Sequence, residues 1–145
     1  DIVYIDKVEA NNTISMASRI GKRNPMYCTA TGKAILAYLP EEEIREVWNK
    51  SKIVKLTKKT NTDFILFKKE LQEVKKNGYA IDDEENEIGV KCVGAPIFDM
   101  NGDVVAAISV TGPVTRITDD KIDFISNEVM QCTNLISKEM GYKLK

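Results

Sequence analysis

Residues 78–113 have the sequence GYAIDDEENEIGVKCVGAPIFDMNGDVVAAISVTGP, and this stretch decides the fold. Two segments rich in β-branched and small apolar residues, 89–98 and 103–111, are separated by Asn101-Gly102. An Asn-Gly pair readily supplies two residues at positive φ, which is the geometry of a tight hairpin turn. The pattern therefore predicts two antiparallel strands joined by this turn and preceded by an acidic segment at 82–85.

The second strand of this hairpin ends in two hydroxyl side chains. The two-residue period of a strand places Ser109 and Thr111 on the same face, together with Val105 and Ala107. Hydroxyls at the end of an apolar strand can be satisfied by neighbouring backbone groups, or they can face a small polar ligand. The residues alone leave both interpretations open.

Length and charge limit the function classes. The chain of 145 residues is expected to form one domain. Its 21 basic and 22 acidic side chains give a net charge of -1, so composition predicts no electrostatic binding to nucleic acid or to a membrane surface. No apolar segment approaches the roughly 20 residues that cross a bilayer, and the first residues lack the layout of a signal peptide. We expect a cytoplasmic protein.

The chain contains no histidine, which excludes Ser-His-Asp and Cys-His catalysis and the HExxH zinc motif. Cys28, Cys92 and Cys132 are widely separated and form no CxxC pair, so neither a disulfide framework nor a thiolate zinc site is expected. We expect no metal, no cofactor and no catalytic residue. Cys132 falls on the apolar stripe of a predicted helix, where it is interpreted as a small buried hydrophobe.

The N-terminal segment predicts strands. Alternating residues predict a strand over Ile2–Val8, and a second strand over Thr13–Ile20 is expected to pair with it, followed by a loop at 21–25. Because the chain begins inside a strand, we expect it to be a piece of a longer protein.

The segment MYCTATGKAILAYLP predicts a helix over Ala30–Leu39 with Thr29 as its N-cap. The first turn of a helix presents free N–H groups, so the amides of Ala30, Thr31 and Gly32 can hold a carboxylate or a phosphate. The small residues Ala30 and Gly32 would let such a ligand come close. An ordinary capped helix end explains the same pattern.

Three further helices are predicted. One opens with Pro40 and three glutamates, one is capped by Asn61-Thr62 and ended by Gly78, and the last runs from Thr118 to Gly141. The basic segment at 50–60 is expected to be a solvated surface loop. The order of strands and helices predicts an α+β fold in which helices pack on an antiparallel sheet.

Several motifs occur in a fixed order: PxYCTAxGKAxLA from Pro25, GYxxDDEE from Gly78, GxxCVxAPxFDxxG from Gly89, and AAxSVxGP from Ala106. Over nearly its whole length the chain resembles the effector-binding domain of the IclR family of bacterial transcription regulators. The succession SRIG and PMYCTA is most similar to the branch that senses pectin-breakdown products such as 2-keto-3-deoxygluconate.

The resemblance implies a GAF-like fold with an antiparallel sheet of about six strands. It also implies a homodimer or tetramer and a pocket for a small carboxylate effector. In relatives a winged helix-turn-helix precedes this domain and binds DNA. No such module is expected within residues 1–145, so DNA binding is expected only of the full-length protein.

The resemblance also assigns effector-binding residues, and each has a physical rationale. The helix-start amides would take the ligand carboxylate, two strand hydroxyls would share a second ligand group, an aspartate would accept from a ligand hydroxyl, and a cysteine and a methionine would form walls. These residues are Ala30, Thr31, Ser109, Thr111, Asp82, Cys92 and Met16. Relatives with very small keto-acid effectors are apolar where Asn24 aligns, so we expect a hydroxylated sugar acid.

Two other functions stay open at this point. An enzyme would use the acidic segment 82–85 for acid/base chemistry, although adjacent acids in a turn more often lie in solvent. An oligomerisation module would bind no ligand and would show no ligand-dependent rise in melting temperature.

Overall fold

The computed structural model describes residues 1–11 and 18–143, which fold into helices packed on antiparallel sheets. The predicted α+β class is confirmed. In chain order the elements are β1 (Ile2–Val3), β2 (Arg23–Asn24), α1 (Ala30–Leu36), α2 (Glu41–Lys50), α3 (Phe64–Asn77), β3 (Ala80–Asp83), β4 (Val90–Phe98), β5 (Val104–Pro113) and α4 (Ile122–Glu139). Strands β3, β4 and β5 form one sheet with β4 in the centre, and β1 pairs with β2.

The predicted hairpin is confirmed in β4 and β5, which pair from Val90 and Pro113 to Phe98 and Val104. Its turn differs from the expectation, because Gly102 has a φ of +85° whereas Asn101 is not at positive φ. The side chain of Asp99 explains the difference, since its Oδ1 accepts hydrogen bonds from the amides of Asn101 at 2.8 Å and Asp103 at 3.0 Å. The turn is therefore a longer one that ends in a glycine bulge.

Helices α1 and α4 cover opposite faces of the three-stranded sheet. Val93 of β4 packs with Ile117 and Ile122 at the start of α4. The next residue, Gly94, faces the first turn of α1, where an added Cβ would lie 3.1 Å from the carbonyl carbon of Ala30. Because neighbouring strand residues point to opposite faces, one side of β4 meets α4 and the other meets α1.

Helix α4 packs through part of the predicted apolar stripe together with three small hydroxyl residues. Its buried residues are Ile122, Ser126, Val129, Thr133 and Ser137. The three hydroxyls donate to carbonyls of their own helix, and Ser137 Oγ also accepts from the amide of Phe98 at 2.9 Å. The small side chains let the helix approach the sheet closely, and Cys132 and Met140 of the predicted stripe are exposed.

The interpretation of Cys132 as a buried hydrophobe is therefore wrong, because the residue is exposed. The predicted cap Thr118 precedes a single 3₁₀ turn, Asp119–Lys121, and makes no side-chain capping bond.

The first N-terminal strand is shorter than expected. Strand β1 covers only two residues, and it pairs with Arg23–Asn24, which lies in the segment predicted to be a loop. The predicted strand Thr13–Ile20 lies mostly outside the described residues. Within the described part of the chain there are five strands in two sheets.

Helix ends follow side-chain capping. Thr29 is the N-cap of α1 as predicted, but α1 ends at Leu36, before Leu39. The cap of α3 is Asp63, whose Oδ1 accepts from the amides of Ile65 and Leu66, so the predicted cap at Asn61-Thr62 is wrong by one residue. Gly78 ends α3 in the left-handed conformation, as predicted.

The main core lies between α1, α2, α3 and the sheet. Its centre is aromatic, with the Trp48 and Phe67 rings 4.9 Å apart and Tyr27 against Trp48. Among the described helices none has the length and apolar character that a bilayer crossing requires.

Candidate functional site

A polar cleft lies where the first turn of α1, the residues around β1 and β2, and the face of the three-stranded sheet meet. Six of the seven predicted site residues line it: Ala30, Thr31, Asp82, Cys92, Ser109 and Thr111. The seventh, Met16, lies outside the described residues. The structure thus brings together residues that are spread over most of the sequence, while their role in binding stays a prediction.

Strand register builds the floor of this cleft. Asp82 of β3 lies opposite Cys92 of β4, which lies opposite Thr111 of β5, so the three side chains form one row across the sheet. Within this row the Thr111 hydroxyl donates to Cys92 Sγ at 3.3 Å. Ser109 belongs to the next row, opposite Gly94. The floor thus carries a carboxylate, a thiol and two hydroxyls.

The absence of a side chain at Gly94 lets the start of α1 rest on this floor. An added Cβ would lie 3.1 to 3.2 Å from the backbone of Ala30 and the amide nitrogen of Thr31, which is tighter than an ordinary contact. Gly32 has a different reason to be glycine, since a Cβ there would lie 2.4 Å from the backbone of Met26. The expectation that Gly32 makes room for a ligand is therefore replaced by a packing requirement within the chain.

The first turn of α1 is partly capped from within. Thr29 Oγ1 donates to the carbonyl of Pro25 at 2.7 Å and accepts from the amide of Gly32 at 3.3 Å. The Gly32 amide is thus used by the cap. Ala30 and Thr31 are the first-turn residues that line the cleft, and first-turn amides have no acceptor within their own helix. This end of α1 can donate to an anion in the cleft.

Asp82 is only 2% exposed and serves the local turn as well as the cleft. Its Oδ1 accepts from the amides of Glu85 at 2.8 Å and Asn86 at 3.3 Å. Burial raises the pKa of Asp82, although these amides and the charge of Lys33 act in the opposite direction. A buried carboxyl fixed in this way has a set orientation towards the cleft.

Cys92 has the properties of a wall residue. Burial, followed by the negative charge of Asp82, raises the pKa of the Cys92 thiol to about 12. The thiol therefore stays protonated near neutral pH and is a poor nucleophile.

The acidic segment is not solvated as a whole, contrary to the sequence-based expectation. Asp82 and Glu85 are buried, while Asp83 and Glu84 pair with Lys59 at 2.9 Å each. The expectation of a solvated loop at 50–60 is wrong at its end, where buried Thr57 and Thr60 hold the acidic turn. Their hydroxyls donate to the carbonyls of Glu84 and Glu85 at 2.6 Å.

Tyr4 and Lys22, which lie next to β1 and β2, line the cleft and had no assigned role. Tyr4 lines the cleft beside Asn24, whose Nδ2 donates to the Tyr4 hydroxyl at 3.4 Å. Burial raises the pKa of Tyr4, and hydrogen bonds from Asn24 and Thr31 partly offset this. Lys22 also lines the cleft. For Asn24 the sequence gave a signal, which was its alignment with relatives. Tyr4 gave no such signal, because the pairing of β1 with β2 places it in the cleft, and these two strands are distant in the sequence.

A buried ion-pair cluster lies next to the acidic turn and was also missed. Lys33 of α1 is fully buried, and its Nζ lies 2.5 Å from Glu85 Oε1 and 2.5 Å from Glu70 Oε1 of α3. Burial acts to lower the pKa of Lys33, but the two carboxylates raise it above its ordinary value. The pKa of Glu85 is raised to about 7, first by burial and then by the charge of Glu70. Glu85 Oε2 is buried without a partner.

Between the described residues the cleft has a volume of about 40 Å³. Its described lining does not include residues 12–17, among them the predicted wall residue Met16.

The class of protein follows from comparison with known families and structures. Residues 1–138 match the family model described as "Bacterial transcriptional regulator IclR C-terminal". The fold and the cleft thus belong to a domain found at the C-terminus of bacterial transcriptional regulators. The chain is a member of the IclR C-terminal domain family.

Individual relatives agree with this assignment. The HTH-type transcriptional regulator KdgR of Escherichia coli is 34% identical over 141 residues, which are 97% of this chain and 54% of that protein. The crystal structure of the Thermotoga maritima IclR is 44% identical with a TM-score of 0.91, covering 97% of this chain and 57% of that one. The chain spans about half the length of the curated relatives that it matches.

A third relative is a liganded structure, that of a double mutant of the PobR inducer-binding domain from Acinetobacter in complex with 3-hydroxybenzoic acid. It is 27% identical with a TM-score of 0.79, covering 88% of this chain and 74% of that one.

Proposed function

We propose that this domain binds a small carboxylate effector in the cleft and thereby controls DNA binding by a longer regulator. In that regulator a winged helix-turn-helix would precede the domain and make the DNA contacts. The observation that carries the proposal is the meeting of a helix start with a polar strand face. Ala30 and Thr31 offer amides to a carboxylate, and Asp82, Ser109 and Thr111 lie on the floor of the same cleft.

The lining supports a hydroxylated acid over a minimal keto acid. Asp82 accepts hydrogen bonds, while Tyr4, Asn24, Ser109 and Thr111 can donate and accept. A ligand with hydroxyls along its chain can satisfy several of these groups. Pyruvate has no hydroxyl to offer Asp82, and it would leave buried polar groups unpaired, which costs affinity. We propose a sugar acid such as 2-keto-3-deoxygluconate, in line with the similarity to KdgR.

Sensing rather than catalysis is supported by the chemistry of the cleft. The two cysteines near the acidic turn, Cys28 and Cys92, have pKa values raised to about 12, so neither supplies a thiolate at neutral pH. The acids of the turn are engaged by Lys33, by Lys59 and by backbone amides. A relative of the same fold, the PobR domain, was solved with a bound hydroxylated aromatic acid.

The test is a calorimetric panel with 2-keto-3-deoxygluconate, gluconate, pyruvate and glyoxylate, accompanied by product analysis after incubation. We expect saturable binding of the sugar acid, weaker binding of pyruvate, and no product. Free ligand at 100 times its dissociation constant should stabilise the fold by about 2.7 kcal/mol. Equal or tighter binding of pyruvate contradicts the sugar-acid assignment, and turnover contradicts the sensor.

An oligomerisation role is a second candidate, because one observation favours it. Helix α4 exposes large apolar side chains, including Phe124 at 68% and Leu135 at 66%. The two side chains lie on the same side of the helix, where a second copy of the domain could cover both of them. We propose that the domain also forms homodimers or tetramers, and the absence of any ligand response would leave this as its main function.

A further inference from the structure

The buried Lys33–Glu85 pair connects the two elements that build the cleft. Lys33 lies in α1, one turn after the Ala30 and Thr31 amides, and Glu85 lies in the acidic turn that follows β3. The Lys33 side chain has 0% exposure, and it is the largest of the fully buried side chains among the described residues. A buried lysine is costly unless it is paired, so its two carboxylate partners fix where α1 and the turn can lie.

The same turn holds Asp82 through its backbone. The amide of Glu85 donates to Asp82 Oδ1 at 2.8 Å, while the side chain of Glu85 accepts from Lys33. Any displacement of Glu85 relative to α1 therefore moves the donor that orients Asp82. Thr60 adds a second constraint by donating to the Glu85 carbonyl at 2.6 Å. Glu85 thus links α1, Thr60 and the carboxylate of Asp82.

Neither charged residue of this link lines the cleft, so neither is expected to contact a ligand that binds there. Glu70 is the second partner of Lys33, but its side chain is 31% exposed and can be solvated if Lys33 is lost. Glu85 is the less replaceable partner, since its second oxygen, Oε2, is buried and has no hydrogen-bond partner among the described residues. Lys33 and Glu85 therefore form a supporting pair, distinct from the groups that line the cleft.

We propose that Lys33 and Glu85 are positioning residues of the effector site, which set the distance between the start of α1 and Asp82. This inference rests on the proposed function of the cleft and adds the residues that hold its two sides in register. It predicts that effector affinity depends on a pair that does not contact the effector.

The test compares the wild-type domain with Lys33→Met/Glu85→Gln, in which both partners are replaced by side chains of similar volume. The variant leaves no charge at positions 33 and 85, and Glu70, which loses its partner Lys33, is 31% exposed and can be solvated, so this variant is expected to fold. We expect its affinity for 2-keto-3-deoxygluconate to fall roughly tenfold or more. The matched control is Lys68→Met/Glu41→Gln, which removes a pair between α3 and α2 and should leave the affinity unchanged.

A positioning role is distinguished from a general loss of stability by coupling to Asp82. If the pair acts through Asp82, adding Asp82→Asn to the double variant should cost less affinity than Asp82→Asn costs in the wild type. Additive losses contradict the proposal. If the double variant does not fold, Glu85→Gln alone serves the same comparison, because it removes the charge and keeps an acceptor for Lys33.

Hydrogen exchange gives a readout without ligand. The amides of Glu85 and Asn86 donate to Asp82, so they should exchange roughly tenfold faster in the double variant relative to core amides of α3 such as Leu71. Unchanged exchange together with unchanged affinity overturns the positioning role. If the wild type binds no acid, the proposed function fails, and exchange alone then decides whether the pair holds the turn.

Discussion

At the scale of single residues, Asp82 connects the acidic turn with the candidate site. One of its oxygens ends the acidic turn by accepting two backbone amides, and its side chain also lines the cleft. Strand register places Cys92 opposite Asp82, and Thr111 opposite Cys92. A conservative replacement at Asp82 therefore tests binding while the turn keeps an acceptor.

We predict that Asp82→Asn lowers affinity for 2-keto-3-deoxygluconate by roughly tenfold or more, or about 1.4 kcal/mol. Asparagine retains an oxygen for the amides of Glu85 and Asn86 but loses the charge-assisted hydrogen bond to a ligand hydroxyl. Titration calorimetry measures the change. Asp119→Asn is the control, because Asp119 is largely exposed and lies outside the cleft. Equal losses in both variants would remove Asp82 from the site.

Glu85 predicts an unusual dependence of stability on pH. Its pKa rises from 4.5 to about 7 on folding, so the folded state binds more protons than the unfolded state between these values. The stability contributed by this group is fully present below about pH 4.5 and is lost as the pH rises through about 7, with an upper size of about 3 kcal/mol.

Urea unfolding at pH 5 and pH 8 checks this prediction. The wild type should lose stability between these values relative to Glu85→Gln, whose side chain does not titrate. Glu84→Gln is the matched control, since the Gly89 amide and Lys59 lower the pKa of Glu84, which is therefore ionised across this range. An identical pH profile for wild type and Glu85→Gln would mean that Glu85 does not take up a proton on folding.

At the scale of elements, the contact between α1 and β4 sets the depth of the cleft. Gly94 is the point of closest approach, because it allows the backbone of Ala30 and Thr31 to rest on the sheet. The backbone at the start of α1 cannot move away from Gly94 unless the helix shifts as a whole. Backbone packing at one glycine therefore controls where the amides point.

We predict that Gly94→Ala reduces effector affinity and costs about 1 to 3 kcal/mol of stability, which is the usual range for overpacking. The added methyl would push against helix backbone, so α1 must shift by a few tenths of an ångström. Gly112→Ala, on the same sheet, is the control, since its methyl would meet only the side chain of Ile117. Calorimetry and urea unfolding measure both effects. Unchanged affinity in Gly94→Ala would mean that the position of α1 does not affect effector binding.

The elements also show what the sequence can and cannot predict. The β4–β5 hairpin, the Thr29 cap and the Gly78 helix end were predictable because each follows from neighbouring residues. The side chain of Asp99 decided the turn geometry at Asn101, which dipeptide preference alone does not capture. The apolar stripe expected on α4 is only partly buried, because the small residues Ser126, Thr133 and Ser137 share the packed face with Ile122 and Val129.

The candidate site divides in the same way. Helix-start and strand-end positions were predictable from local pattern together with the family resemblance. Tyr4 and the Lys33–Glu85 pair were not, because the partners are 20 and 52 residues apart in the sequence. A lysine on an otherwise apolar helix gave only a weak local sign of a buried ion pair.

At the scale of the whole molecule, helix α4 exposes two large apolar side chains, Phe124 and Leu135, on the side away from its buried residues. They are separated by three helical turns and so lie on the same side of the helix. We predict that Phe124→Glu/Leu135→Glu shifts the domain towards monomer in sedimentation velocity runs, since charge at an apolar interface is unfavourable. Asn49→Glu/Gln72→Glu is the control, because it adds equal charge at exposed polar positions of α2 and α3. Loss of association in both variants, or in neither, would argue against an interface at Phe124 and Leu135.

The proposed function requires that effector binding change the conformation of the whole domain. Any effect on the DNA affinity of a longer regulator must come from different effector affinities in two conformations.

An NMR titration of the ¹⁵N-labelled domain with 2-keto-3-deoxygluconate tests directly whether the cleft binds an acid. We expect saturable shifts that are largest at the amides of Ala30, Thr31 and Ser109 and in the turn at 82–86, with small changes along α4. Shifts confined to α4, or no shifts at millimolar acid, would contradict an effector site between the start of α1 and the strand floor.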